Sequence, residues 1–306
     1  MLHGKHSFDD FITFDIAANF EQVTWPSRTI YRPSKKLKAF QSFLNSVLFD
    51  HLPVNESVSF AYRKGASLRQ AIEIHASSRV FYQTDFSKFF HSIDSDLIRK
   101  NILSSETPVQ DIAEHVDHIV KLTTVEKRLA IGFVTSPSIS NICLKSFDDC
   151  LEAWCLKHAL VYSRYADDIV ISTPRDQDLN HLDSLVSQFA SEQISPRVTL
   201  NSAKRKLTKI GRRVQIMGFD ILPTGRVTIG RKIRHKVEYL IHFLVSNRAR
   251  FEQIYEGDLE KGIQQLGGFV SHIHTADPLY LLKLRKKFGS TIVDALLHRS
   301  LNDESD

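Results

Sequence analysis

Apolar and polar positions alternate along residues 79–86, RVFYQTDF, which predicts a β-strand ending in the acid Asp85. Residues 160–173, LVYSRYADDIVIST, predict a β-hairpin with Asp167 and Asp168 at its tip. A second hairpin is expected in RRVQIMGFDILPTGRVTIG, turning at Pro-Thr-Gly. Helical spacing dominates elsewhere. FQSFLNSVLFDHL is amphipathic, HSIDSDLIRKNIL enters a helix from a Ser/Asp cap, and DQDLNHLDSLVSQFASEQ is a further amphipathic helix. TSPSISNICLKSFDDCLEAWCLKHAL predicts one long helix from a Ser-Pro start. From about Arg231 the pattern is helical again, with Ile233, Val237, Leu240, Ile241 and Leu244 on one stripe. The mixture predicts an α+β chain without internal repeats.

Composition narrows this picture. At 306 residues the chain can bury a large core, and 42% hydrophobic with 25% charged residues is an ordinary globular balance, not that of a disordered chain. Three cysteines, Cys143, Cys150 and Cys155, are too few and too unpatterned for a disulfide framework or a zinc site, which fits a reduced compartment. No apolar run reaches the roughly 18–20 residues of a membrane span, and MLHGKHSFDDF lacks the features of a signal peptide. A cytoplasmic protein without membrane contact is the expectation. The net charge of +5 is mild, yet Asn201 to Arg250 holds thirteen Lys and Arg against Asp220 and Glu238. The rest of the chain is therefore net negative, and this segment is either an electrostatic footprint for a polyanion or a solvated basic face.

The acids carry the chemistry. Ionised carboxylates in low dielectric are costly unless paired or bound to a metal. If the strand ending in Asp85 neighbours the Asp167–Asp168 hairpin in one antiparallel sheet, three carboxylates converge at its edge. Hard divalent cations take oxygen ligands of this kind, and a pair of them can clamp the attacking and leaving oxygens of a phosphoryl displacement. An Asp-Asp pair in a loop also serves as a solvated tip or a cap.

Further blocks surround these acids. Tyr165-Ala166-Asp167-Asp168 resembles the YxDD box of reverse transcriptases, 85-DFSKFF-90 the box with their first catalytic Asp, and 132-GFVTSPSISN-141 their GxxTSPxxxN box. RPSKKLKAFQ and AYRKGASLRQAIEIH resemble the fingers blocks of the bacterial members, and LNSAKRKL with MGFDILPTG the later palm blocks. The resemblance spans roughly residues 25–290 in the family's order. It implies a right-hand polymerase fold with fingers, antiparallel-sheet palm and helical thumb. The expected boundaries are 1–78 for the N-terminal segment and fingers, 79–230 for the palm with finger-connecting helices at about 95–130, and 231–306 for the thumb and tail. Such a unit uses nearly the whole chain, so the expectation is a retron-type or related defence-associated enzyme without a ribonuclease H, integrase or endonuclease domain. Ala71-Ile72-Glu73-Ile74-His75 and Ile216-Met217-Gly218 depart from the retron blocks Asn-Ala-x-x-His and Val-Thr-Gly, and Ala130-Ile131-Gly132 from the usual Pro-Gln-Gly. The first two departures leave the subclass open, and the third implies relaxed or specialised substrate handling.

The resemblance assigns roles residue by residue. Asp85, Asp167 and Asp168, with the carbonyl of Phe86, would hold two Mg²⁺ ions, Mn²⁺ being a substitute. Lys204 would protonate leaving pyrophosphate, and Arg63 and Lys64 would hold the incoming triphosphate. Phe90 takes the place of the steric gate against a ribose 2′-hydroxyl, with core packing beside Phe89 as its bland role. Gly132, Ser136 and Pro137 would shape the nucleotide pocket, and Arg231, Lys232, Arg234 and Lys236 would meet nucleic-acid phosphates. His75 and His91 lack metal-ligand spacing and are expected in satisfied polar or packing roles. The implied activity is RNA-directed DNA synthesis from dNTPs, on an RNA template and primer that a structured non-coding RNA would supply, giving a DNA product. The implied setting is antiphage defence beside an effector or toxin protein or a second polymerase subunit. Protein-primed or template-free synthesis, and an RNA-binding scaffold role, are the alternatives.

Overall fold

The structure, a computed structural model, describes residues 6–26, 28–107, 109–211 and 213–302. The ends of the expected first and last segments, 1–5 and 303–306, lie outside the described residues. The chain divides into two compact units, one of residues 1–75 and 79–208 and one of 76–78 and 209–306. The division falls between Thr208 and Lys209, ahead of the palm boundary expected after residue 230.

The first unit is organised by an antiparallel sheet. Its strands are β1 (Phe20–Trp25), β2 (Arg28–Pro33), β3 (Val80–Ser87), β4 (Thr124–Val125), β5 (Arg128–Leu129), β6 (Val161–Tyr165), β7 (Asp168–Thr173), β8 (Thr199–Leu200) and β9 (Lys206–Lys209). The order β6-β7-β3-β8, with β9 also on β3, forms the main sheet, while β1-β2 and β4-β5 are separate hairpins. Alternation decides which side chains go where. Val80, Tyr82 and Phe86 join Ile169 and Ile171 in the main apolar cluster with Phe147, Leu151, Leu182, Val186 and Ala190 from the helices Lys145–Lys157 and Leu182–Gln193. Phe81, Gln83 and Asp85 therefore face the other way. On that second face the imidazole of His75 bridges Ser172 on β7 (2.6 Å) and Ser163 on β6 (2.8 Å). Burial drives its pKa down to about 3, so it stays neutral and satisfied, in line with the polar or packing role expected of it.

Local chemistry accounts for the helices. Ser34 caps Lys35–Val47 through Leu37 N, and Asp94 caps Ser95–Ser104 through Leu97 N. The long helix expected from 135 onward is two helices, Ser136–Cys143 and Lys145–Lys157, interrupted at Leu144. Leu144 is fully buried with ψ near zero, so its side chain is seated in the core at the cost of one residue of helical backbone.

The second unit holds a three-stranded antiparallel sheet of β10 (Val214–Ile216), β11 (Phe219–Ile221) and β12 (Val227–Ile229). A single hairpin was expected here. The extra turn is Met217-Gly218, both at positive φ, which permits a two-residue reversal that the Met-Gly pair does not advertise. Five helices follow: Arg231–Ser246, Arg248–Ile254, Leu259–Ala276, Pro278–Phe288 and Ser290–Asn302. Val237, Leu240 and Ile241 of the first are buried, while Ile233 and Leu244 at the ends of the stripe are only partly so. Asp277 joins sheet and helices, capping Pro278–Phe288 and accepting from Thr228 Oγ1 and Ile229 N. No helix among the described residues is long and apolar enough to cross a membrane.

One glycine is indispensable to the first unit. Gly132 has φ +102°, and a Cβ there would lie 2.5 Å from the Tyr31 carbonyl oxygen and 2.9 Å from Ile30 Cγ2. This close approach lets Tyr31 N donate to Ile131 O at 2.7 Å, joining β2 to the segment before the helix Ser136–Cys143. Gly132→Ala combines a positive φ with a backbone clash, so it should lower stability by about 2–3 kcal/mol. Urea unfolding should show this as a lower midpoint with an unchanged slope.

Candidate active site

The pairing of β3 with β7 sets Asp85 directly opposite Asp168. Asp85 O accepts from Asn201 N at 2.9 Å, so the backbone polar groups of Asp85 point to the β8 edge. Asp85 and Asp168 thus form a non-hydrogen-bonded pair, the closer of the two antiparallel arrangements. The same alternation turns the Phe86 carbonyl to the β7 edge, where Ala166 and Asp167 link β6 to β7. Ala166 has φ +57°, a conformation that glycine usually supplies at the first position of such a tight turn. Asp167 occupies the turn and Asp168 opens β7 across from Tyr165. The expected convergence at the hairpin tip is what the register produces.

Like charges placed this way disfavour ionisation. Burial first, then the charges of Asp167 and Asp85, push the Asp168 carboxyl up to about 6, against the pull of Lys204. Asp167 is also raised, by burial and by Asp85, although its own backbone N–H and Lys204 oppose this. Asp85 is 2% exposed. Its Oδ2 accepts from Lys204 Nζ, while its Oδ1 has no hydrogen-bond partner. The bond to Asp85 in turn raises the Lys204 pKa. Among the described residues no three His, Cys, Asp or Glu side chains close into a group that holds a metal unaided, and Lys204 is the cation at Asp85. The donor set still suits a hard cation, because it combines an orphaned buried carboxylate oxygen, two half-buried carboxylates whose pKa values are raised, and an adjacent backbone carbonyl.

The other expected residues distribute as follows. Arg63 donates from Nε to Ser59 O (2.8 Å) and from Nη2 to Glu56 O (2.9 Å), and pairs with the Glu56 carboxylate. With Lys64, Tyr62 and Asn141 it lines a cavity of about 540 Å³. Ser136 Oγ donates to Ala130 O at 2.6 Å, and Pro137 sits in the first turn of its helix. Phe86 is buried between the rings of Phe89 and Phe147. Phe90 is half-buried, its ring 5.2 Å from that of Phe89. Arg231, Lys232, Arg234 and Lys236 belong to the second unit, at the start of Arg231–Ser246. Arg231 and Lys232 are exposed, Arg234 pairs with buried Asp220 and lies over Tyr280, and Lys236 lies over Phe269.

Three residues close to the acids escaped the sequence. Arg164 and Asp148, both fully buried, form a two-pronged ion pair directly behind the Ala166–Asp167 turn. An arginine at an inward position of an alternating strand was the available signal. Tyr62, at positive φ and 47% exposed, has its pKa raised by burial and by the charge of Asp167.

An antiparallel sheet with opposed carboxylates at a hairpin tip, in an α+β chain with flanking helical segments, suits a nucleotidyl-transferring polymerase. The profile of the reverse transcriptase (RNA-dependent DNA polymerase) family matches residues 26–240, and the chain belongs to that family. It is similar to the Retron Ec83 reverse transcriptase of Escherichia coli, 24% identical over 301 residues covering 94% of this chain and 93% of that protein. The Retron Ec73 reverse transcriptase of Escherichia coli is 25% identical over 87% of this chain and 84% of its own length. The Retron Mx162 reverse transcriptase of Myxococcus xanthus is 25% identical over 86% of this chain and 59% of that protein. The resemblance to retron-type enzymes, the α+β polymerase fold and the RNA-directed DNA polymerase class all stand.

The raised Asp168 pKa has a measurable consequence. Asp168 binds its proton more tightly in the folded chain than in the unfolded one, so its contribution to stability falls as pH rises from the ordinary carboxylate range through about 6. In chelator-treated protein, Asp168→Asn should raise Tm at pH 8, with the gain vanishing toward pH 4. Equal Tm values across this range would show that Asp168 is ordinarily solvated.

Proposed function

We infer that the chain adds dNTPs to a primer end by phosphoryl transfer at Asp85, Asp167 and Asp168, copying a structured non-coding RNA of the retron kind. The observation that carries this reading is the register that opposes Asp85 to Asp168 while leaving Asp85 Oδ1 without a partner. Asp85, Asp167, Asp168 and the Phe86 carbonyl are the groups that would hold two Mg²⁺ ions, for which Mn²⁺ would substitute. When bound, such ions stabilise the charge on the attacking and leaving oxygens.

The chain's own groups do the rest. Lys204 carries a proton at Nζ beside Asp85 and is the donor for leaving pyrophosphate. Arg63 and Lys64, on the wall of the 540 Å³ cavity, present cations to the incoming triphosphate. Gly132, Ser136 and Pro137 set the backbone under the nascent base pair, and Phe90 closes the sugar pocket to a 2′-hydroxyl. Arg231, Lys232, Arg234 and Lys236 meet nucleic-acid phosphates from the second unit. We assign the residues up to 78 with fingers, those from 79 with palm and the helices after 231 with thumb. An antiphage setting with an effector or second polymerase subunit belongs to the same reading and rests on the family resemblance.

Two measurements test this. Asp167→Asn keeps shape but removes an anionic ligand, so primer extension should fall by about a thousandfold or more while Tm and RNA binding persist. Near-normal synthesis by this variant would remove the site assignment. Phe90→Val should lower the dNTP to rNTP ratio of kcat/KM on one primed RNA template by at least about tenfold, because it removes a clash with the wrong sugar. An unchanged ratio would make Phe90 a packing residue.

A further inference from the structure

Arg164 is the largest fully buried side chain among the described residues, and its guanidinium uses all of its donors. Nε donates to Asp148 Oδ1 at 2.8 Å and Nη2 to Asp148 Oδ2 at 2.5 Å. The second Nη2 proton goes to Ser59 Oγ at 3.0 Å. Nη1 reaches Asn141 Oδ1 at 3.1 Å and the Ala166 carbonyl at 2.8 Å. Tyr162 Oη donates to Asp148 Oδ1 at 2.7 Å and leaves that carboxylate fully occupied.

The partners come from three stretches with different tasks. Ala166 is the strained residue of the turn that displays Asp167. Asn141, at the end of its helix, passes the connection on by donating from Nδ2 to Ala61 O at 2.8 Å. Ser59 begins the segment that leads to Tyr62, Arg63 and Lys64. The same segment is stitched to β6 by its backbone, since Arg164 N donates to Val58 O at 2.7 Å and Phe60 N to Arg164 O at 3.0 Å. One planar cation therefore touches both the carboxylate turn and the approach to the cavity that Arg63 and Lys64 line.

A structural role alone would not need this arrangement. Two charges buried completely are costly, and an apolar pair of similar volume is often as stable or more so. What a guanidinium offers, and neither an apolar side chain nor an ammonium does, is a rigid fork that fixes several oxygens relative to one another. Here those oxygens include the Ala166 carbonyl, in the turn that carries Asp167, and the Ser59 hydroxyl, in the segment that leads to Arg63 and Lys64.

We propose that Arg164, backed by Asp148, is a positioning residue for nucleotidyl transfer that locks the Asp167 turn and the 59–64 segment into a single register. This rests on the assignment of Asp167 and Asp168 to the reacting centre and of Arg63 and Lys64 to the triphosphate. The two arms of the network should have separable kinetic signatures. The arm to Ala166 governs kcat through the placement of the carboxylates, and the arm to Ser59 governs KM for dNTP.

The test is steady-state extension of a DNA primer on an RNA template, with urea midpoints recorded for every variant. Arg164→Lys keeps the charge opposite Asp148 but cannot reach Ala166 O, Asn141 and Ser59 together, and should lower kcat by about 100-fold, as an ångström-scale misplacement does. Ser59→Ala should raise KM for dNTP by about two- to tenfold with kcat within a factor of about two, matching the loss of one hydrogen bond. Ser59→Thr restores a hydroxyl and should restore KM. Arg164→Lys folding normally with wild-type kcat would overturn the proposal. So would a Ser59→Ala variant with unchanged KM, or a Ser59→Thr variant no better than alanine. If Arg164→Lys fails to fold, the Ser59 pair decides alone. Asp167→Asn serves as the reference: activity in that variant removes the underlying site assignment, whereas its inactivity beside a normal Arg164→Lys removes only the positioning role.

Discussion

Electrostatic repulsion between Asp85 and Asp168, held opposite each other across β3 and β7 with Asp167 beside them, is the constraint around which the first unit is built. Nothing in the stability of a sheet asks for like charges at such a position, and cross-strand pairs of one sign work against it. The fold answers the cost from several directions. Apolar residues on β3 and β7 secure the strands from the helix-packed face, His75 bridges β6 and β7 on the other, and Lys204 supplies a cation at Asp85. Arg164 braces the turn from behind. The unfavourable cluster survives because the structure around it over-determines it, which is the usual condition for local strain to persist.

The convergence of the acids at the candidate site was legible in the sequence because two-residue periodicity reports strands directly. RVFYQTDF and LVYSRYADDIVIST carry their acids at positions that break an apolar alternation, and the register followed once the strands were neighbours. The α+β class was legible for the same reason. What periodicity does not report is a partner distant in the chain. The Arg164–Asp148 pair, the Lys204–Asp85 bond and the approach of Gly132 to Tyr31 each depend on tertiary placement, and no local rule names the second member. The interruption at Leu144 and the turn at Met217-Gly218 were missed because neither carries the proline, asparagine or glycine-first chemistry that marks a break or reversal.

Buried polar groups divide the labour between the two units in a consistent way. In each, an aspartate with negligible exposure ties its own helix to a strand: Asp148 accepts from Tyr162 and Arg164 of β6 in the first, and Asp277 from β12 and its own helix start in the second. Apolar packing supplies most of the stability, but it tolerates small slides of one element over another. A satisfied carboxylate does not, since leaving a buried donor unpaired is expensive. Register is therefore set by these few polar contacts.

The order of strands has a consequence for synthesis of the chain. β3 carries Asp85 early in the sequence, but its sheet neighbours β7 and β8 come after a long run of helices. As translation proceeds at about 5–20 residues per second, Asp85 leaves the ribosome seconds before Asp168 exists. Until then both edges of β3 lack their strands and its first acid has neither Lys204 nor its opposing carboxylate. The sheet closes only when the later strands arrive, which is the slow, non-local kind of folding step. The carboxylate cluster thus does not exist until the sheet is complete, and the interval is one in which a chaperone has an exposed strand edge to shield.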